Sequence, residues 1–122
     1  MHAFITNTDP KTVHVRVSEK LVAADYDDLV PTLEARIAAH GKIALVWEMR
    51  DFHGWSAEGL WADTKFDVRH AGDFSRVALV GETKWQEMMT KLMSPFTSAE
   101  VRFFETTDLD DALRWVEQPA EQ

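Results

Sequence analysis

Short β-prone stretches alternate with apolar stripes at three- and four-residue spacing along most of the chain, and this change of period sets the expected elements. Met1–Ile5 and Thr12–Val17 are joined through the turn formers Asn7-Thr8-Asp9-Pro10, which predicts an N-terminal hairpin. Tyr26, Leu29, Val30, Leu33 and Ile37 predict a first helix ending at Gly41. Pro31 lies inside that pattern and is expected to kink the helix, or to confine its regular part to the residues beyond. Ile43–Met49 begins almost continuously apolar, as a strand covered on both faces does. It is expected to run out into a turn holding Phe52, His53, Gly54 and Trp55.

Ser56–Ala71 reads as a second helix with Ala57, Leu60, Trp61, Thr64, Val68 and Ala71 on its inward side. Ser75–Val80 is the next strand, ended by Gly81. Thr83 and Gln86 fit a capping box opening a third helix. Its apolar stripe is Trp85, Met88, Met89, Leu92, Met93 and Phe96, and Pro95 helps to end it. Glu100–Phe104 is the last strand, and Thr107 is expected to cap a final helix with Leu109, Ala112, Leu113 and Val116 facing inward. The order β-β-α-β-α-β-α-β-α has no internal repeat or linker. It predicts one α/β domain over residues 1–122, a mostly parallel sheet with an antiparallel edge from the hairpin.

Composition narrows the function classes. Thirteen basic residues against 21 acidic ones give a net charge of -8, and the cations are scattered rather than clustered, which excludes a nucleic-acid surface. With no cysteine there is no disulfide, thiolate metal site or cysteine nucleophile. The longest apolar run, Ile43–Trp47, is too short to cross a bilayer, and the N-terminus lacks the pattern of a secretory signal. A soluble, cytoplasmic protein is expected.

The chain resembles the SpoIIAA-like proteins, bacterial relatives of the STAS domain. The resemblance is carried by Asp25-Tyr26, Pro31, His40-Gly41-Lys42, Asp51-Phe52-His53-Gly54-Trp55, Asp63, Phe74, Arg76, Ala78, Val80-Gly81 and Trp85. It continues through Pro95-Phe96, Glu100-Val101-Arg102-Phe103-Phe104, Asp111-Ala112 and Trp115. It implies a STAS-like fold with a mixed five-stranded sheet and four helices. Because the wider superfamily includes lipid-carrying domains of the CRAL-TRIO type, it also implies an apolar ligand pocket. In phosphorylated STAS antagonists the corresponding helix opens with Asp-Ser-Ser/Thr-Gly-Leu and the first serine accepts phosphate. Aligned on Gly59-Leu60, this chain has Ala57 at that position, with no hydroxyl, so the antagonist switch does not carry over.

Three kinds of chemistry compete for the remaining residues. His53, Asp63, Asp67 and His70 are the one conceivable metal set, the last three at i, i+4 and i+7. A solvated helix face, its acids paired with Lys65, Arg69 or a lysine elsewhere, accounts for them without a metal, and no metal or cofactor is expected. Asp51, His53 and Ser56 suggest a hydrolytic trio, but groups so close in one turn rarely reach the needed geometry. Ser56 as an N-cap explains the same residue, so no enzyme is expected. The aromatic and methionine side chains remain. Phe52, His53, Trp55, Trp61, Phe66, Trp85, Met89 and Met93 are expected to line a site for a small hydrophobic or lipid-like molecule, with peripheral membrane association. His53 is its polar contact, and the pocket lies between the sheet and the second and third helices. The alternative is a regulatory protein-interaction module docking a partner or a second copy through the same aromatics. A hydrolase using His53 and Ser56 ranks last.

Overall fold

The computed structural model describes residues 3–5, 11–70, 72–82 and 100–117. Strand β1 (Ala3–Ile5) pairs antiparallel with β2 (Thr12–Leu21). Helix α1 (Ala23–His40) leads to β3 (Ile43–Trp55), and α2 (Ala57–Arg69) leads to β4 (Phe74–Gly81). Strand β5 (Glu100–Glu105), a 3-10 turn (Thr106–Asp108) and α3 (Leu109–Glu117) complete the described chain. The sheet runs in chain order, β1 to β5, with β2, β3, β4 and β5 mutually parallel. Three α-helices occur among the described residues. The helix expected over Thr83–Phe96 lies outside them.

Strand alternation divides the core between the two sheet faces. Val13, Val15, Val17, Leu45, Trp47, Met49, Val77 and Leu79 meet Tyr26, Leu29 and Leu33 of α1 and Phe66 of α2. On the other face Ala44, Val46, Ala78, Val80 and Phe104 meet Ala112 and Val116 of α3. Leu109 and Leu113 are half-buried against that second cluster. Thr107 sits within the 3-10 turn instead of capping α3.

Three local expectations need correction. Helix α1 runs unbroken through Pro31. The hydrogen bond that Pro31 cannot donate would have gone to the carbonyl of Asp27, and both residues are exposed, so the carbonyl is left on the solvent side of the helix at little cost. The helix start is held by Asp25, whose carboxylate accepts the Val22 N–H at 2.9 Å.

Phe52–Trp55 are also not a turn, because β3 continues to Trp55. Glu19 and Asp51 take left-handed backbone angles (φ 55° and 49°), and the β2–β3 register slips between Ser18 and Leu21. This irregularity changes the phase of alternation, so Phe52 turns into the core that Met49 faces from the other parity.

The third correction concerns the rotation of α2. Leu60, Trp61 and Val68 are exposed, Trp61 at 62 %, whereas Gly59 and Phe66 are buried. Ser56 caps the helix by accepting the Gly59 N–H at 2.9 Å, and its own N–H donates to Leu21 O at 2.8 Å. A Cβ on Gly59 would lie 2.5 Å from that same Leu21 carbonyl oxygen. This close approach anchors α2 on the end of β2 with the Gly59–Phe66 face inward.

Candidate functional site

Between α1, α2 and the sheet lies a cavity of about 40 Å³. Its walls are mostly aliphatic and aromatic, including Leu29, Leu33, Trp47, Phe66, Phe74 and Leu79. Besides His70 at its edge, four polar side chains joined in one hydrogen-bonded chain gather at it. Trp55 Nε1–H donates to the Tyr26 hydroxyl at 2.8 Å, and Tyr26 in turn donates to Asp63 Oδ1 at 2.8 Å. Asp63 also shares a hydrogen bond with Asp67, one helical turn further along α2. Trp55 ends β3, Tyr26 opens α1 and the two aspartates lie on α2, so three elements assemble the chain of donors and acceptors.

Electrostatics follow from enclosure. Burial, then the Asp63 charge and hydrogen bond, push the Asp67 carboxyl up to about 9. Burial also raises Asp63, although the hydrogen bonds from Asp67 and Tyr26 oppose it. Burial and the adjacent Asp63 charge raise the Tyr26 phenol far above its ordinary value. Two carboxyls this close cannot both ionise readily in a low-dielectric site, so the pair holds a proton near neutral pH.

On the outer side, α1 and α2 flank an open groove of about 600 Å³. It shares Tyr26, Val30 and Phe66 with the cavity, and Trp61 and Lys65 border it.

The residues singled out from the sequence are distributed as follows. Trp55 and Phe66 line the cavity, and Trp61 borders the groove. Phe52 is buried and meets Trp55 edge-to-face, their ring centroids 5.0 Å apart. His53 is exposed and stands outside the cavity. Trp85, Met89 and Met93 lie outside the described residues. Among the described residues the cavity lies between the sheet, α1 and α2; of the expected pocket between the sheet and the second and third helices, the third helix lies outside those residues.

The sequence pattern puts the acids of α2 on a solvated face with Lys65, Arg69 or a lysine elsewhere. Asp63 and Asp67 instead turn to Tyr26 and to each other, because the anchored N-terminus rotates that face inward. His70 is engaged elsewhere, with Asp73 at 2.7 Å and Glu34 at 2.8 Å. No group of three metal-ligating side chains is found among the described residues. Ser56 acts as the N-cap, and no hydrogen bond joins it to His53 or Asp51 among the described residues.

Tyr26 and Trp47 do not stand out as site residues in sequence, and Asp63 and Asp67 are weighed there only as metal ligands or a solvated face, not as partners of Tyr26. Their signal was the position of Phe66, which lies off the apolar stripe but on one face with Asp63, Asp67 and His70 at i, i+3, i+4 and i+7.

A second polar cluster occupies the opposite sheet face. Glu48 is fully buried and accepts from His14 Nε2 (2.6 Å), Arg16 Nε (3.2 Å) and Arg50 Nε. Burial alone would raise its carboxyl, but the hydrogen bonds from Arg50, His14 and Arg16 outweigh that and hold it below the usual carboxylate range.

The SpoIIAA-like family model matches residues 12–117. A crystal structure of an uncharacterized protein of the DUF3478 family with a SpoIIAA-like fold, from Shewanella loihica PV-4, superposes with a TM-score of 0.78. The two are 29 % identical, and the match covers 95 % of each chain. No curated protein matches the sequence. The chain belongs to the SpoIIAA-like family and is a STAS-type domain, a class generally non-enzymatic and engaged in regulatory protein interaction. No helix among the described residues is long and apolar enough to cross a membrane.

Proposed function

We propose that this SpoIIAA-like domain binds a small hydrophobic or lipid-like molecule between α1, α2 and the sheet. The observation that carries the proposal is an apolar cavity with a polar end, adjoining an open groove through Tyr26, Val30 and Phe66. The enclosed space of about 40 Å³ is far below the roughly 300–1,000 Å³ typical of ligand pockets. Uptake therefore requires α1 and α2 to part along the groove and widen the space that Trp55 and Phe66 already line. Trp85, Met89 and Met93, which the sequence reading adds to the apolar lining, lie outside the described residues. His53 at the surface is left as a contact for a ligand's outer end.

A second function, as a regulatory interaction module, is favoured by a separate observation. Leu60, Trp61 and Val68 form an exposed apolar stripe on α2, suited to a protein partner, a second copy or a bilayer surface.

Native mass spectrometry of gently purified full-length chain, before and after adding decanol or decanoate, tests the ligand proposal. Retained or saturably added apolar mass supports it. A bare chain that takes up neither probe contradicts it.

A further inference from the structure

We infer that the polar end of the cavity recognises an uncharged hydroxyl group, so that the preferred ligand is an apolar alcohol. This rests on the ligand proposal above and deepens it. The hydrogen-bonding capacity left at the cavity carries the inference. Trp55 spends its indole N–H on Tyr26, and Tyr26 spends its O–H on Asp63. The carboxyls donate and accept between themselves, with acceptor lone pairs to spare. One donor is left over. Trp47 lines the same cavity, is only 7 % exposed, and its buried Nε1–H has no partner among the described residues. An unmet buried donor costs free energy, which gives a ligand acceptor a specific place.

Three ligand headgroups can be compared against that inventory. A carboxylate would accept from Trp47, but it brings a second negative charge beside the aspartate pair. Among the described residues no Lys or Arg lines the cavity to offset it, and His70 is bound to Asp73 and Glu34. An ammonium suits the carboxyls but has no lone pair for Trp47. A hydroxyl does both, accepting from Trp47 and donating to a carboxylate oxygen. A space of about 40 Å³ holds such a group, since a single water needs roughly 10–15 Å³.

The experiment is calorimetric titration of the full chain with decanol, decanoate and decylamine near neutral pH. Decanol is expected to bind roughly tenfold or more tightly than either charged analogue. Trp47→Phe, which removes the N–H and keeps an aromatic ring, should weaken decanol by roughly tenfold. Asp67→Asn should narrow the gap between decanol and decanoate. Decanoate binding as tightly as decanol would overturn the inference while leaving the ligand proposal standing. Equal decanol affinity in wild type and a folded Trp47→Phe would also overturn it. Absence of binding by all three probes would overturn both.

Discussion

Asp67→Asn should make the protein's stability much less dependent on pH. Asp67 has an ordinary value of 3.8 and is raised to about 9 in the fold by burial and by Asp63. Between those values the folded chain holds a proton that the unfolded chain has released. Stability contributed by the protonated carboxyl is therefore present at acid pH and lost as pH rises toward 9. One proton gives a slope of at most about 1.4 kcal/mol per pH unit. Hydration of the adjoining cavity relieves part of that. Half the limiting slope still removes about 2 kcal/mol between roughly pH 5 and pH 8, a fall in Tm of about 6–10 °C for a chain of this size. Asparagine keeps the shape and a donor toward Asp63, so the variant should match wild type near pH 5 and exceed it near pH 8. Thermal melts of both proteins across that range provide the assay. Because the titrating groups away from the Asp63–Asp67 pair and Tyr26 are common to both, the difference between the curves reports the titration of that cluster. Parallel curves, or a wild type that gains stability as pH rises with the variant following it, would refute the reasoning.

Other substitutions test the frame around the site. Gly59→Ala puts a Cβ 2.5 Å from Leu21 O, and relieving that overlap should cost about 1–3 kcal/mol; an unchanged urea midpoint would show that α2 is not anchored there. Glu48→Gln leaves His14, Arg16 and Arg50 facing a neutral amide and should cost about 2–4 kcal/mol, below the full value for a broken buried pair because both arginines reach solvent. In wild type, the carboxylate's contribution is present above its ordinary value of 4.5 and lost as pH falls through its depressed value, which acid titration of the two proteins would display as stabilities that differ near neutral pH and converge as pH falls. A STAS-directed serine kinase should leave the opening of α2 unmodified, since Ala57 has no hydroxyl and Ser56 Oγ is occupied by the Gly59 N–H; a dominant phosphopeptide at Ser56 would contradict this.

The layered α/β plan is legible in the sequence because the period of apolar residues changes between strands and helices. What it does not reveal is phase. For α2, Leu60, Trp61 and Val68 look like an inward stripe, but the Gly59 contact with Leu21 overrides their preference and leaves them exposed. A left-handed Asp51 is equally invisible, since aspartate tolerates that conformation without announcing it, and the parity change that buries Phe52 follows from it. Pro31 is a breaker in general, and here its missing donor merely frees an exposed carbonyl.

The candidate site is legible in part. Trp55 and Phe66 attract notice as aromatics outside a regular stripe. Tyr26 resembles a core residue, while Asp63 and Asp67 resemble a solvated helix face. Only the packing of α1 against α2 joins them, through a hydrogen bond spanning 37 positions.

Isotope-edited NMR of the full chain with labelled decanol tests the central claim most directly. Contacts from the decanol chain to Leu33, Trp55 and Phe66, saturating with the binding curve, are the predicted result. Contacts confined to Leu60, Trp61 and Val68 on the outer stripe would put the ligand on the surface and contradict an interior site.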